Sequence, residues 1–520
     1  MRVVVIGLDG ATWELIKPWA EKGELPTFKK LMENGSWGYL ESTIPPVTGP
    51  AWVSFATGKN PGKHGIFDFV YLENGRLKLH TSKDIKAKPF YDFLSKKGLK
   101  NIIISLPLSF PPTSEFNGIM ISDFLYPQQD TFPSSKRQYL DGLDIVPDLT
   151  KTPKRELLNE LIRTLKNRIK LAQTLFLNEE WDFYFVWIGE TDSVSHHFWK
   201  DLKGNGYLKE QVKAVFRISD EFLRWVLGNL QENDILIIMS DHGFGHYPYV
   251  IHLNKLLKDR GYLKTVIKDV SQDETLSKRI SESGTKKKIS YIKPPKILLK
   301  LATHPILKPI SRKIYRLLFK SKQIGLVESV DFKNSRAFVP TSESWSIYLN
   351  VNDTHERERI RNELINLLNK LEFNGKKVFK RVFTREEIYS GPFVDFAPDI
   401  LFLTNGFFVD AAVSVDKLVE PYKPASFHEL FGIFLAYGPG IKKGQRVNAK
   451  IYDIAPTILH IFGLPLPNDM DGRVLMEIFE ENSEFAKRKP KYVDPSYYEK
   501  KQEDEKLKKA IKNLKLKSKI

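Results

Sequence analysis

The sequence predicts an α/β fold in which a mostly parallel sheet is sandwiched between helices. Three observations carry that prediction. Val3–Leu8, Asp182–Ile188 and Asp234–Met239 are short apolar runs rich in β-branched and aromatic residues, the pattern of strands buried on both faces. Helix-length segments separate the strands, and strands alternating with helices imply parallel pairing. Each of the three runs is followed closely by an aspartate, Asp9, Asp192 or Asp241. Ligands in such sheets collect beyond the carboxyl ends of the strands.

Taken in order, Val3–Leu8 opens the chain and is closed by Gly10. Thr12–Ala20 and Pro26–Asn34 read as helices, the second stopped by Gly35. Next comes IPPVTGPAWVSFATGKNPGKHGIFD, Ile44 to Asp68. Pro45 and Pro46 keep a helix from starting early, and a proline just inside a helix start is favourable. Thr48 therefore sits where a loop turns into a helix. Backbone N–H groups at a helix start are unpaired and point at an anion such as phosphate. A hydroxyl there can attack phosphorus once its proton is removed, and Asp9 is a candidate ligand for a metal that would stabilise the alkoxide. The plainer reading makes Thr48 an ordinary N-cap.

Lys88–Lys97 reads as a helix, and Asn101–Leu106 and Gly118–Ser122 as strands. Tyr126–Pro153 is an irregular loop, expected near the substrate entrance. Glu156–Asn178 and Tyr207–Leu230 are helices flanking the strand at Asp182. Past Leu263 the pattern dissolves into a basic segment. It resumes with strands at Arg336–Val339 and Trp345–Asn350, a helix at Thr354–Leu371, strands at Ile400–Phe402 and Ile433–Ala436, and a helix at Asp453–Phe462 closed by Gly463.

The chain of 520 residues is long enough for a large core and contains no cysteine, so disulfides and thiolate metal sites are excluded. Any metal ligands must come from Asp, Glu and His. It begins directly with a strand, and no run approaches 18 apolar residues, so neither secretion nor a membrane span is expected. The expected location is cytoplasmic, peripheral at a membrane if the basic segment binds one. The net charge of +17 is concentrated in two places. Gly284–Lys322 holds twelve Lys or Arg and no acid, and Lys487–Ile520 carries a net +8, which leaves about −3 for the rest. That distribution argues against a nucleic-acid-wrapping surface.

Asp192 and His196 are four apart, on one face of a helical turn, a spacing suited to gripping one ion. Asp241 and His242 are adjacent after a strand, where a turn can aim both inward. Carboxylate plus imidazole accommodates hard and borderline metals alike.

This constellation resembles the alkaline phosphatase superfamily, above all its type I phosphodiesterase/nucleotide pyrophosphatase branch and the related phosphohydrolase/phosphomutase group. The carriers are GLDG at Asp9, PPVTGPAW at Thr48, TGKNPGKHGI from Thr57, ETDSVSHHFW at Asp192 and His196, SDHGFG at Asp241 and His242, His428, and the late IYDIAPTIL and DGRVL segments. The resemblance implies an alkaline phosphatase-like sheet with an inserted cap, spanning 1–478 with the basic insertion at 264–327 inside it, and a charged tail at 479–520. It implies two divalent ions: zinc first, manganese or iron as alternatives. One would be held by Asp192, His196 and His428, the other by Asp9, Thr48, Asp241 and His242. It further implies hydrolysis of a phosphoric ester through a phospho-threonine at Thr48, with the Gly49 N–H donating to a phosphoryl oxygen. Phosphomutase or phosphomonoesterase action is the alternative within the superfamily. A metal-stabilised protein that binds membranes or polyanions without turnover is the alternative outside it.

The match departs at two points: His428 sits in FHELFGIFLAYGPG rather than in the pyrophosphatase-style His-Gly-Tyr, which points to the phosphohydrolase group, and a residue downstream of Thr48 differs. Nucleotide pyrophosphatases carry an Asn 21 residues after the nucleophile, where this chain has Phe69, preceded by Asp68. The expected partner is a phosphate-ester small molecule or lipid head group. The Pro-broken basic and aliphatic segment 284–322 is a candidate contact with an anionic membrane or, alternatively, a cap packed on the body. His64 is expected to serve a loop structurally. His197 reads equally as a supporting group or a surface residue, Glu190 and Asp453 equally as groups that orient ligands or as caps and solvated acids, and His246 and His252 are near the site in sequence only.

Overall fold

Among the described residues, Val3–Leu8 (β1) forms the middle of a nine-stranded sheet. A computed structural model of the chain describes residues 1–204, 206–269, 326–342, 344–423 and 425–499. The other strands of this sheet are Ser36–Glu41 (β2), Asn101–Ile104 (β3), Gly118–Ile121 (β4), Thr131–Phe132 (β5), Phe183–Ile188 (β6), Ile235–Met239 (β7), Phe431–Tyr437 (β8) and Ala449–Lys450 (β9). Their spatial order is β9-β2-β8-β7-β1-β6-β3-β4-β5. Only β5 and β8 run against the others. The sheet is thus mostly parallel, and the irregular loop expected at 126–153 supplies its β5 edge.

Every residue of β1, β6 and β7 is buried, because helices cover both faces. The helices are Trp13–Glu21 (α1), Pro26–Asn34 (α2), Thr48–Thr57 (α3), Phe90–Lys96 (α4), Lys154–Asn178 (α5), Glu190–Leu202 (α6), Lys209–Asn229 (α7) and Ile454–Ile461 (α8). Val4, Ile6 and Leu8 face one core, shared with α1, α2, α5, α6 and α7. Val3 and Val5 face the other, with Trp52 and Phe55 of α3, Phe90 of α4 and Ile458 of α8.

His64 secures α3 from below. Its Nε2 pairs with Ser54 Oγ at 2.9 Å, and its Nδ1 accepts the Ile66 N–H at 3.2 Å. This is the structural role expected for it. Burial, with the Lys59 charge adding, holds its imidazole down to about 3 from an ordinary 6.5. The native ring stays neutral where the unfolded chain takes up a proton. Stability is therefore unaffected by this group above pH 6.5 and falls by about 1.4 kcal/mol per pH unit from there down to about 3. Urea midpoints measured across that window should drop more steeply in the wild type than in His64→Gln; parallel curves would contradict the assignment.

Between β7 and β8 the chain builds a second lobe with its own apolar core, from Tyr247 to Phe427. It contains a four-stranded sheet of Ala337–Phe338, Ser346–Leu349, Ile400–Thr404 and Phe379–Thr384, covered by the helix Thr354–Asn369. The inserted part is therefore larger than the 264–327 segment expected from sequence. Thr265–Asp269 pairs antiparallel with Leu326–Val330, so the intervening stretch leaves and returns at one two-stranded stem. The basic segment 284–322 lies outside the described residues.

The boundary expected at 479 falls inside packed structure. Phe479, Phe485 and Tyr498 are buried in the same core as α3 and α8. Tyr498 stacks on Phe93 at 4.6 Å, and its hydroxyl donates to Pro465 O at 2.5 Å. Charge density marked the segment as a tail, but three aromatic anchors dock it. Phe485→Ala and Tyr498→Ala should each cost about 3 kcal/mol in urea unfolding, whereas a solvated tail would tolerate both within about 0.5 kcal/mol. Residues 500–520 lie outside the described residues. Among the described residues no helix is long and apolar enough to cross a membrane.

Candidate metal centre

Asp9 leaves β1 at its carboxyl end, and the neighbouring strands deliver the other two carboxylates beside it. Leu8 is in register with Ile188 of β6, and Gly7 with Met239 of β7. The chain then turns at Gly10, whose φ of 62° is in the left-handed region. This turn lets the Gly10 N–H donate to Asp241 Oδ1 at 3.2 Å.

On α6, Asp192 and His196 sit one turn apart, with His196 Nε2 3.4 Å from Asp192 Oδ1. After β7, His242 Nε2 lies 3.4 Å from Asp241 Oδ2 and 3.5 Å from Asp9 Oδ1. His428 arrives on the strand Ser426–Glu429, which pairs antiparallel with Gly243–His246 so that Phe244 stands opposite His428. Its Nε2 is 3.0 Å from His196 Nε2 and 3.5 Å from Asp192 Oδ1. Its ring stacks on that of His242 with centroids 3.7 Å apart.

Thr48 is the first residue of α3. Val47 occupies the cap position before it, with no side-chain capping bond. The Thr48 hydroxyl therefore does not cap the helix, and its Oγ1 faces His242 Nε2 at 3.3 Å. Gly49, the next residue, belongs to the first turn, where N–H groups have no intrahelical acceptor. Asp9, Thr48, Asp192, His196, Asp241, His242 and His428, spread over more than four hundred positions, thus meet at one edge of the sheet.

The imidazoles are held in the orientation that ligation requires. His242 Nδ1 donates to Gly243 O at 2.9 Å, and His428 Nδ1 to Pro46 O at 3.0 Å. A carbonyl can only accept, so in the neutral form of each ring the lone pair sits on Nε2 and points into the cluster.

The carboxylates fit a cation. Asp9 Oδ1, Asp192 Oδ1 and Asp241 Oδ2 are buried, and none has a hydrogen-bond partner among the described residues. Burial, with the charges of Asp241 and Asp192 beside it, pushes the Asp9 carboxyl well above its ordinary value. Burial likewise pushes Asp241 up to about 7. At Asp192 burial acts the same way, but His196 and His428 outweigh it and hold the group below the ordinary range. Burial also drives His428 down to about 3, keeping it neutral. Three carboxylates in a dry site repel one another unless positive charge sits between them.

The ligand atoms form two groups. Asp9, Asp241 and His242 each place one atom within 4.8 Å of the others, and so do Asp192, His242 and His428. His242 belongs to both, a sharing that the motif spacing did not foretell. His196 stands at the rim of the second group, partly exposed.

Several supporting residues escaped the sequence reading. The indole N–H groups of Trp52 and Trp187 both donate to Asp9 Oδ2, at 3.0 and 2.7 Å, which leaves Oδ1 turned into the cluster. Trp52 reaches it because Gly7 has no side chain; a Cβ there would lie 2.5 Å from the indole. Behind Trp187 lies the buried Arg168 guanidinium, 5.2 Å from the ring and paired with Glu190 Oε1 at 3.3 Å. Phe427 stacks on His428 at 4.3 Å. The one available signal was Trp52, four residues after Thr48 and so on the same helical face.

Other candidates do not join the cluster. His252 binds Asp410 and Glu420 within the second lobe. His246 is exposed, His197 packs beside Phe198, and Asp453 accepts the backbone N–H groups of Lys450 and Arg473. At the departure downstream of Thr48, the Phe69 ring lies 3.1 Å from where a Gly49 Cβ would stand. Asp68 is engaged by Ser344 and by the Phe69 N–H.

Comparison with known proteins adds three findings. The chain matches the family "Type I phosphodiesterase / nucleotide pyrophosphatase" over residues 3–409, a span that stops short of His428. No curated protein matches it by sequence. Its fold is similar to several solved structures. Human ectonucleotide pyrophosphatase/phosphodiesterase 5 is 14% identical, with a TM-score of 0.53 over 93% of this chain and 100% of its own. Phosphonoacetate hydrolase from Sinorhizobium meliloti 1021, in complex with phosphonoformate, is 14% identical, with a TM-score of 0.53 over 88% and 94%. A variant of alkaline phosphatase PafA is 14% identical, with a TM-score of 0.54 over 92% and 98%. At that identity the likeness is one of fold, and the fold is alkaline phosphatase-like.

Proposed function

The chain belongs to the type I phosphodiesterase / nucleotide pyrophosphatase family, and from that premise we propose that it is a metal-dependent phosphoric ester hydrolase whose nucleophile is Thr48. The observation that carries the reading is the position of Thr48 Oγ1, 3.3 Å from a ring nitrogen shared by both ligand groups.

Two divalent ions, held by Asp192, His196 and His428 and by Asp9, Thr48, Asp241 and His242, would supply Lewis-acid stabilisation of the phosphoryl oxygens and a lowered pKa at the Thr48 hydroxyl. Zinc suits the mixed carboxylate and imidazole set, with manganese or iron as alternatives. The chain does the rest. The start of α3 presents the Gly49 N–H to a phosphoryl oxygen, a donor fixed before the reaction begins. Thr48 Oγ1 gives up its proton to solvent and forms a bond to phosphorus as the bond to the leaving oxygen breaks, and the departing alkoxide takes up a proton from solvent. Water then cleaves the phospho-threonine and restores the hydroxyl. Trp52 and Trp187 keep Asp9 in one orientation throughout.

Phe69 bears on the substrate class. An apolar ring against Gly49 offers no hydrogen bond to a third phosphoryl oxygen. A doubly charged monoester would have to place an unsolvated oxygen there, whereas a diester places a bridging group, and this favours diesters. Metal-reconstituted protein should hydrolyse bis-p-nitrophenyl phosphate at least about tenfold more efficiently, in kcat/KM, than p-nitrophenyl phosphate. The opposite order would assign it to monoesters.

A further inference from the structure

The carboxylates of the centre are aimed by different means. Asp241 is directed by one backbone donor, the Gly10 N–H at 3.2 Å from its Oδ1. Asp9 is directed by two indoles. Trp52 Nε1–H donates to Oδ2 at 3.0 Å, and Trp187 Nε1–H donates to the same oxygen at 2.7 Å. A carboxylate oxygen has two lone pairs, so the pair of donors fills Oδ2. Oδ1 is buried with no hydrogen-bond partner among the described residues, 3.5 Å from His242 Nε2. Asp9 therefore has one oxygen left to give.

Both donors are locked in place and shielded from water. Trp52 and Trp187 are buried. Trp52 packs edge-on against Phe55 and Phe185, each with its centroid 5.7 Å away. Trp187 stacks on Phe124 at 5.3 Å, with the Arg168 guanidinium 5.2 Å from its ring. Two glycines make room for the indoles. A Cβ on Gly7 would lie 2.5 Å from the Trp52 ring, and one on Gly189 would lie 2.0 Å from the Trp187 ring. Packing alone could be met by phenyl rings. The indoles add two N–H groups, and both go to the same atom.

The number of oxygens a carboxylate offers matters to a cation. Calcium gathers about six to eight oxygens and commonly takes both from one carboxylate. Zinc is satisfied by about four donors, nitrogen or oxygen. Asp9, Asp241 and His242 bring one atom each to their group. A second oxygen from Asp9 would raise that count toward what calcium needs, and the indoles withhold it.

We propose that Trp52 and Trp187 are positioning residues that confine Asp9 to one-oxygen ligation, and that this confinement makes the Asp9–Asp241–His242 group accept a small borderline ion such as zinc and refuse calcium. The inference rests on the proposed function only in that this group holds a divalent ion. Among the described residues the indoles donate to no other ligand, so the group of Asp192, His196 and His428 is an internal control.

The test is titration of the metal-free, full-length protein with zinc and, separately, with calcium, each against a chromophoric chelator. In Trp52→Phe/Trp187→Phe, one of the two zinc-binding steps should weaken by about 10- to 100-fold while the other stays. Calcium binding should stay or strengthen, so that the zinc-to-calcium ratio of affinities narrows by at least about tenfold. Either single substitution frees one lone pair on Oδ2 and should narrow the ratio by itself, which keeps the test valid if the double variant does not fold. Equal weakening of zinc and calcium, the mark of a purely structural role, would overturn the proposal, and so would a ratio unchanged in both single variants. Wild-type protein that binds zinc while the variants keep its ratio removes the indole assignment and leaves the metal-dependent hydrolase standing. Wild-type protein that binds no zinc, manganese or iron removes both.

Discussion

Thr48→Ala is expected to lower hydrolysis of bis-p-nitrophenyl phosphate by at least about 10⁴-fold, with little change in stability. The size of the loss follows from the role: a nucleophile has no substitute within the chain, and its removal costs far more than the loss of one binding contact. The small effect on folding follows from the geometry. Thr48 does not cap α3, and the one hydrogen-bonding approach of its side chain among the described residues is to His242, at 3.3 Å. Thermal unfolding should therefore shift by only a few degrees, corresponding to about 1 kcal/mol. Rates within tenfold of wild type would place the attack elsewhere. A variant that also lost its metal would show Thr48 to be chiefly a ligand.

The second large effect concerns His242. Its Nε2 lies in both ligand groups and is fully buried, whereas His196 stands at the rim of one. Loss of His196 leaves Asp192, His242 and His428 able to hold an ion. His242 has one free lone pair, on Nε2, and so serves one ion at a time. Its loss takes the imidazole from the Asp9–Asp241 group, removes the donor that could stand in for His196 beside Asp192 and His428, and leaves three buried carboxylates with less to neutralise them. His242→Ala should therefore bind fewer equivalents of divalent metal than His196→Ala, by elemental analysis after dialysis, and lose activity by at least about 10³-fold. Its thermal midpoint should also stop responding to added metal, because the stabilisation that ligands give the native state disappears with their binding. Equal metal content in the two variants would contradict the shared role.

The parts of the molecule that could be read from the chain are those where one physical requirement acts alone. β1, β6 and β7 are buried on both faces and so appear as unbroken apolar runs. Because parallel strands end on a common edge, Asp9, Asp192 and Asp241 could be expected to meet. β2 was not recognised. Its sequence, SWGYLE, alternates between buried and partly exposed positions, and Gly38 interrupts it. That glycine is there because a Cβ would lie 1.9 Å from Val447 O of the adjacent chain, a constraint invisible before the neighbour is known. The reversed direction of β8 left no trace in its composition. In the second lobe, Ala337–Phe338, Ser346–Leu349 and Ile400–Thr404 could be read as short apolar runs, whereas Phe379–Thr384 (FKRVFT), with two exposed basic residues in its middle, could not. Within the centre, ligand types were legible because strand ends fix their place. The indoles behind Asp9 and the sharing of His242 depend on how helices pack, which no local pattern encodes.

One feature of the sheet bears on how this protein and its relatives diversify. β7 and β8 lie side by side, Met239 opposite Phe434, although the entire second lobe intervenes between them in sequence. The short ladder that leads into the lobe, Gly243–His246 against Ser426–Glu429, already holds the final imidazole at its Phe244–His428 rung. Material can thus be gained, trimmed or exchanged beyond that rung without moving any donor atom. Evolution, or an engineer, could graft a different recognition head onto the same reactive chassis and change what is attacked while the attack itself stays the same.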